Sequence, residues 1–197
     1  RVGLTGGIGS GKSAALSIFA RYGAAAISLD DIAHELSRPG FPVYRAVLKA
    51  FGPAAVGPHG LNRAALAEKV FRSAAARRRL ERAVHPAILR EMRRRLAACR
   101  KSVAIVDAPL LFESGFSSEF DLTLAVTAPK SERLRRVMRR DGAGRAQVLR
   151  RMAAQFTDEK KRSLADAELP NNGSRASLKA RAREFYRAMR LIANRSN

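Results

Sequence analysis

Short apolar runs recur along the chain and predict the strands of a buried sheet. A continuous run such as residues 103–106 is typical of a parallel strand that helices cover on both faces. Stretches with helical periodicity separate the runs, so the pattern predicts an α/β fold with a five-stranded parallel sheet. The predicted strands are residues 2–5, 24–29, 103–106, 121–126 and 166–169.

Between the second and third strands the pattern is helical for nearly seventy residues. One crossover connection does not need so much chain, so residues 34–100 are expected to form an inserted helical lobe. The core would then comprise residues 1–33 and 101–197. The predicted helices are 32–37, 42–51, 63–72 capped by Asn62, 74–84 capped by Ser73, and 87–100 after Pro86, with a loop at 52–60.

Two arginine-rich helices follow the fourth strand, at 130–140 and from 145 to about 156. The segment Gly142-Ala143-Gly144 joins them as a flexible hinge, which predicts a mobile lid over about 130–157. Leu134, Val137 and Met138 form the apolar stripe of the first helix. The remaining surface is covered by Arg135, Arg136, Arg139 and Arg140. A closing helix carries its predicted core face at Leu178, Ala182, Phe185, Met189 and Ile192.

A glycine-rich loop joins the first strand to the first helix and fits the G-x-x-x-x-G-K-[ST] pattern from Gly6 to Ser13. Its glycines let the backbone approach a polyphosphate closely, and the N–H groups at the helix N-terminus then point at the oxygens. Lys12 adds charge near the β- and γ-phosphates, while the Ser13 hydroxyl can hold Mg²⁺. A chance glycine-rich turn is the alternative, but the flanking strand and helix argue against it. The predicted ATP-binding residues are Gly7, Ile8, Gly9, Ser10, Gly11, Lys12, Ser13 and Ala14.

The amino-acid composition bears on the type of ligand and on the cellular compartment. The 197 residues carry a formal charge of +21, with 38 Lys and Arg against 17 Asp and Glu. The arginines are spread over every predicted helix and aromatic residues are few, which favours an anionic small substrate over specific nucleic-acid binding. Cys99 is the only cysteine, so no internal disulfide can form, and a reducing cytoplasm is expected. No apolar run approaches the length of a membrane span, and we expect a soluble protein.

The chain resembles the dephospho-coenzyme A kinase family over nearly its whole length. The resemblance lies in TGGIGSGKS at 5–13, Asp30 followed by Ile-Ala, HPAI at 85–88, DAPLLFESG at 107–115, RRDG at 139–142, Gln155 and NNG at 171–173. It implies a P-loop kinase of three layers that moves the γ-phosphoryl group of ATP to the ribose 3′-hydroxyl of dephospho-coenzyme A. Three positions depart from the usual family pattern: Ser28 replaces the first carboxylate of Asp-x-Asp, Ala14 replaces a threonine, and Pro170 replaces an acidic residue.

The resemblance also implies roles for individual residues. Asp30 would accept the proton of the attacking hydroxyl, although it could instead only cap the following helix. Asp107 would hold Mg²⁺ with Ser13, with a structural role at the strand end as the alternative. Arg140 would close on the phosphates, with Arg145 as a weaker candidate. Asn171, Asn172 and Gly173 would lie near the adenine, with a plain turn as the alternative. The acceptor would meet Arg63, His85, Leu110 and Glu113 besides Asp30.

Two other functions stay open at this point. One is a P-loop kinase acting on a nucleoside or nucleoside monophosphate, which the loop alone would fit equally well. The other is an ATPase that uses its arginine surface to bind nucleic acid. The expected partners are therefore ATP and dephospho-coenzyme A, without specific nucleic acid or membrane, and the expected assembly is a monomer or a weak homo-oligomer.

Overall fold

The computed structural model describes residues 1–195. Its internal contacts divide the chain into two compact units. One comprises Arg1–Ile27 together with the chain from Cys99 onward, and the other comprises Ser28–Ala98. No helix within the described residues has an apolar stretch long enough to cross a membrane.

A five-stranded sheet organises the first unit. Its strands are β1 Val2–Thr5, β2 Ala25–Ser28, β5 Ala104–Asp107, β6 Leu122–Thr127 and β7 Ala167–Pro170. They lie in the order β2-β5-β1-β6-β7, so β1 is at the centre, parallel to β5 on one side and to β6 on the other. The predicted α/β fold with a five-stranded parallel sheet is confirmed, with no strand end shifted by more than one residue.

Two helices complete the main core of this unit: α1, Lys12–Arg21, and α9, Arg175–Arg195. They contact each other and bury apolar side chains together with the sheet. The predicted core face of α9 is wrong at one end, because Ile192 is 59% exposed. Tyr186 is buried in that core and stacks on Tyr22, with ring centroids 6.2 Å apart. Tyr186 lies four residues after Ala182, on the same face of the helix.

Three further helices follow β6, at Lys130–Asp141 (α6), Arg145–Ala153 (α7) and Asp158–Leu164 (α8). A small cluster of Leu134, Val137 and Val148 joins α6 to α7, and Ile8 of the glycine-rich loop packs against it. Helix α8 was not predicted, because its sequence has no apolar periodicity. Its sequence does carry end signals: the Thr157 hydroxyl accepts a hydrogen bond from the Lys160 N–H, and acidic residues precede basic ones.

The second unit is mostly helical. The elements of this unit are α2 Leu29–Leu36, α3 Pro42–Phe51, the antiparallel pair β3 Val56–Gly57 and β4 Gly60–Leu61, α4 Arg63–Arg72, and α5 Ala74–Ala97. Helix α5 contacts the three other helices, and Arg95 on α5 forms ion pairs with Glu35 and Glu91.

Two predictions for this unit are wrong. Residues 52–60 were expected to be a loop, but they contain β3, the start of β4 and a short 3-10 turn, since the glycines there serve a tight hairpin. The predicted break at Pro86 does not occur, and α5 runs without interruption through this proline, with 24 residues in all. A proline inside a helix removes one backbone donor and its ring crowds the carbonyl of residue i−4, which costs about 3 kcal/mol. Packing of Ala87, Ile88 and Met92 beyond it keeps the helix in one piece.

Candidate active site

The glycine-rich loop, residues 6–11, lies between the central strand β1 and helix α1. Gly9 and Gly11 adopt positive φ angles of 80° and 100°, which explains why glycine occupies them. Gly11 is the N-cap of α1, and no side chain caps that helix end. The first N–H groups of α1 therefore remain available to an anion, and the helix dipole adds positive potential there.

Lys12 and Ser13 open α1 at this site. The Lys12 Nζ atom donates to the Gly6 carbonyl at 3.0 Å, which places the ammonium group along the loop. Ser13 is exposed. The arrangement matches what a P-loop needs for the β- and γ-phosphates of a nucleotide.

Asp107 ends β5 beside the glycine-rich loop. It pairs in register with Leu4 of β1, and the next residue, Ala108, donates its N–H to the Leu4 carbonyl at 2.9 Å. Its carboxylate and the Ser13 hydroxyl are hard oxygen donors of the kind that Mg²⁺ prefers. No group of three or more His, Cys, Asp or Glu suited to a metal occurs among residues 1–195. Nucleotide-bound Mg²⁺ takes most of its ligands from phosphates and water, so this donor set fits it.

Side chains from the C-terminal half support the loop from outside. Asn171 is buried and donates from Nδ2 to the Ser10 carbonyl at 2.7 Å. Arg136 donates from Nη2 to the Asn171 carbonyl at 3.2 Å. Arg133 and Gln155 bind the backbone of Ile8. The sequence pattern predicts no role for Arg133, which is only 6% exposed. Nothing in the helix sequence distinguishes the arginines that bind the loop carbonyls from those that face solvent.

Arg140 lies near the end of α6, where its Nε donates to Asp141 Oδ1 at 2.6 Å. Arg151 of α7 contacts the other oxygen of Asp141, also at 2.6 Å. The hydrogen bond and charge of Asp141 raise the pKa of Arg140, and the two arginines hold the pKa of Asp141 well below its usual range. The predicted role of Arg140 on the phosphates stays a prediction that would require it to exchange this partner.

Two residues of the predicted adenine site lie just after β7. Asn172 Oδ1 accepts from Arg181 Nη1 at 2.8 Å, and Gly173 follows in a bend before α9. Their predicted contact with adenine is untested.

Asp30 lies on α2 in the second unit and lines a cavity of about 680 Å³. Arg63, another predicted acceptor residue, lines the same cavity, with its Nη2 atom 3.4 Å from His34 Nδ1. Most of the remaining wall is apolar. It includes Leu61, Leu66, Val70, Val84 and Ile88. The cavity thus combines a carboxylate and a guanidinium with an apolar surface, as a large amphipathic substrate would require.

Ser28 has a clear structural role at the start of α2. Its Oγ atom accepts a hydrogen bond from the Asp31 N–H at 3.1 Å and caps the helix. Asp30 is therefore the second residue of α2 and not its cap, so the capping alternative for Asp30 is wrong. Serine and aspartate are both good N-caps, which explains how serine can stand at this position.

His85 lies on α5, one residue after Val84 and three before Ile88, both of which line the cavity. Burial lowers its pKa below the ordinary value, and the carboxylate of Glu81 offsets part of this shift. A neutral imidazole is the favoured form in this environment.

The two remaining predicted acceptor residues follow β5. Leu110 is 47% exposed, a large apolar side chain open to solvent. Glu113 is mostly buried, and its Oε1 atom accepts from the Phe156 N–H at 2.9 Å and lies 2.7 Å from Lys161 Nζ. Lys161, on the unpredicted helix α8, is completely buried. Glu113 thus has structural partners that the sequence did not reveal.

Comparisons with known proteins agree with this geometry. The family model described as dephospho-CoA kinase matches residues 1–177. The dephospho-CoA kinase of Methylococcus capsulatus is 39% identical over 193 residues, covering 98% of each chain. The structure of TT1252 from Thermus thermophilus matches with a TM-score of 0.85 at 36% identity, covering 95% of each chain. That of dephospho-CoA kinase from Campylobacter jejuni matches with a TM-score of 0.67 at 26% identity, covering 95% of this chain and 96% of that one. This chain, with its P-loop after the central strand, belongs to the dephospho-CoA kinase family.

Proposed function

We propose that this protein transfers the γ-phosphoryl group of ATP to the ribose 3′-hydroxyl of dephospho-coenzyme A, which yields coenzyme A and ADP. The observation that carries the proposal is the family match across residues 1–177, because it spans both the P-loop and the cavity that Asp30 lines. The reaction is the last step of coenzyme A synthesis.

Phosphoryl transfer passes through a loose, highly charged transition state, so a kinase works mainly by positioning and by stabilising charge. Residues 7–14 would hold the phosphates, with the N–H groups at the start of α1 pointing at the oxygens. Lys12 would place its charge beside the transferred group. Arg140 would leave Asp141 and add a second charge as the lid, predicted over residues 130–157, closes. The part that moves would be the middle of this segment, around residues 142–144, because Arg133 and Gln155 hold its two ends on the glycine-rich loop. Asn172 and Gly173 would contact the adenine.

Asp30 is the proposed general base. A ribose hydroxyl is a weak nucleophile unless its proton is accepted as it attacks, and a carboxylate within hydrogen-bond reach can accept it. Arg63 shares the cavity with Asp30 and would bind an anionic part of the acceptor. His85, Leu110 and Glu113 complete the proposed acceptor contacts, and residues 34–100 are proposed as the acceptor-binding lobe.

Ser13 and Asp107 would hold Mg²⁺, directly or through water. An ion held there would supply positive charge that offsets the negative charge developing during the transfer.

The cellular setting is also a proposal. The single cysteine supports a reducing cytoplasm. Two small-molecule substrates need no partner chain, which supports a monomer or weak homo-oligomer without specific nucleic acid.

The test is a coupled assay of ADP release with ATP and Mg²⁺, with and without dephospho-coenzyme A. ADP should appear only with the acceptor, and Asp30→Asn should lower kcat at least about a hundredfold, as expected for a general base. The matched control is Asp31→Asn, which removes the neighbouring exposed carboxylate of the same helical turn and should leave kcat within about threefold.

Two results would count against the proposal. Turnover of a nucleoside or nucleoside monophosphate above that of dephospho-coenzyme A would assign another acceptor. ADP release without an acceptor, stimulated by RNA or DNA, would indicate a nucleic-acid-dependent ATPase.

A further inference from the structure

Ile8, in the middle of the glycine-rich loop, has both backbone polar groups bound by side chains from far along the chain. Its N–H donates to Gln155 Oε1 at 2.9 Å. Its carbonyl accepts from Arg133 Nε at 3.0 Å. A loop residue normally satisfies these groups with water or with its own turn. At Ile8 the side chains of Gln155 and Arg133 make these two hydrogen bonds instead.

These contacts fix the peptide planes on either side of Ile8. In the first plane the Gly7 carbonyl accepts from the Ser10 N–H at 3.0 Å, while the Ile8 N–H is held by Gln155. In the second plane Arg133 holds the Ile8 carbonyl. Because a trans peptide is planar, its N–H points opposite to its carbonyl, so the Gly9 N–H is directed away from Arg133. Neither plane can rotate without breaking a side-chain hydrogen bond.

Arg133 is itself held firmly. Its side chain is 8% exposed, and Nη1 lies 2.6 Å from Asp158 Oδ1 at the start of α8. The fit is close, because a Cβ atom added at Gly7 would lie 2.1 Å from Arg133 Nη2. The glycine at position 7 therefore makes room for this guanidinium.

Gln155 is placed by its neighbours in the connection between α7 and α8. The next residue, Phe156, donates its N–H to Glu113, and Glu113 pairs with the buried Lys161 of α8. Lys161 also donates to the Pro109 carbonyl at 2.8 Å. These contacts hold the backbone next to Gln155 against the segment that follows β5. The Gln155 side chain reaches the glycine-rich loop from this position.

From this geometry we infer that Gln155 and Arg133 are positioning residues that preorganise the glycine-rich loop for polyphosphate by fixing the peptide planes around Ile8. The inference rests on the proposed function only in taking a nucleotide as the phosphate donor. Without these contacts the loop would have to be ordered when the nucleotide binds, and affinity would fall by that cost.

The decisive variant is Gln155→Met, which keeps the length of the side chain and removes the acceptor. ADP binding measured by calorimetry should weaken about tenfold, the size expected when a backbone donor loses its partner. Hydrogen exchange of the Ile8 amide in the nucleotide-free protein should accelerate by at least about tenfold for the same reason. A loss of global stability alone would not produce this pair of effects, because the folded fraction binds ADP with its own affinity.

The matched control is Gln147→Met, the same change at an exposed position on α7, which should alter neither readout. ADP affinity of Gln155→Met within about twofold of the parent protein would overturn the inference. If Gln155→Met fails to fold, Gln155→Glu decides, because it keeps an acceptor of equal reach. Parent-like exchange of the Ile8 amide in that variant would support the inference, and fast exchange would overturn it. Neither measurement needs dephospho-coenzyme A, so the outcome is independent of the proposed acceptor.

Discussion

At Gly9 the glycine-rich loop has no space for a side chain. Its φ angle is +80°, and an added Cβ atom would lie 2.6 Å from the Arg133 carbonyl oxygen and 2.8 Å from Val137 Cγ2. The first contact is with helix backbone, which cannot move aside as the end of a side chain can. The glycine therefore brings the loop against α6, in addition to permitting its conformation.

Gly9→Ala should consequently raise the KM for ATP by at least about tenfold, because the left-handed conformation alone costs roughly 1–2 kcal/mol for alanine and the close contact adds to it. Steady-state kinetics at saturating acceptor would measure the change. Gly57→Ala is a suitable control, since its added Cβ atom would meet nothing closer than 3.9 Å. An unchanged KM for ATP in Gly9→Ala would show that α6 can shift to admit the methyl group.

The sequence predicts the groups whose role depends on their spacing along the chain, such as the loop glycines and Lys12. It does not predict which arginines of α6 support the loop. Arg133 and Arg136 bind loop carbonyls, whereas the neighbouring Arg135 is exposed and pairs with Glu132 at 2.6 Å. The residue type is the same in all three, and only the face of the helix that meets the loop distinguishes them.

Helix α2 carries Asp30 in its first turn, and the Ser28 hydroxyl defines where that turn begins. Ser28→Ala should lower the free energy of unfolding by about 1 kcal/mol, the usual cost of losing an N-cap. It should also lower kcat, because fraying of the first turn moves the proposed base. Ser28→Asp should retain both properties, since a carboxylate caps equally well.

A second N-cap supplies the control for this prediction. The Ser73 hydroxyl caps α5 by accepting from the Ala76 N–H at 3.2 Å, in a helical turn that carries none of the proposed acceptor residues. Ser73→Ala should match Ser28→Ala in denaturant unfolding and leave kcat unchanged. Equal kcat values for the two variants would contradict a specific role for the α2 cap.

Helices whose bounds follow from local sequence signals were predicted correctly, whereas helices that depend on tertiary packing were not. Helix α3 was predicted with its observed bounds, because its proline start and glycine end are local signals. Pro86 is also a local signal, but the helix boundary that it predicts is wrong. Packing along α5 outweighs the effect of the proline and keeps the helix continuous. Helix α8 was not predicted because the residue that it buries is a lysine, Lys161, and it has no stripe of apolar residues.

Helix α5 should also make stability depend on pH through His85. Burial lowers the pKa of His85 in the folded protein, so below its ordinary value near 6.5 the unfolded chain binds a proton that the folded chain does not. The free energy of unfolding should therefore fall as the pH drops from about 7.5 to about 5.5. The carboxyl of Glu91, with its pKa lowered to about 2 by Arg94 and Arg95, stays ionised throughout and contributes no change.

Urea unfolding at the two pH values would measure this effect in the parent protein and in His85→Asn. The variant should lose much of the decrease, whereas His59→Gln, at an exposed histidine of the same unit, should retain it. A parent-like decrease in His85→Asn would assign the pH dependence to other groups.

The molecule as a whole has 38 basic and 17 acidic side chains, so ion pairing within the fold leaves a net charge of +21. Many of the ion pairs are local, as in Glu91 with Arg94 or Asp141 with Arg140. Such exposed pairs contribute little stability, so they do not account for the composition. The net charge instead creates a positive potential that both polyphosphate substrates experience before they bind.

This potential predicts a specific salt dependence. Raising KCl from about 0.05 to about 0.5 M shortens the Debye length from over 10 Å to under 5 Å, so the long-range part of the attraction is lost. The KM for ATP and for dephospho-coenzyme A should both rise several-fold, while kcat changes by less than about twofold because contacts within the closed site are screened far less. Steady-state kinetics in KCl, with sucrose of equal osmolality as the control, would separate charge screening from solvent effects. A constant KM with a falling kcat would mean that salt acts on the lid or on stability, and the basic surface would then need an explanation other than substrate attraction.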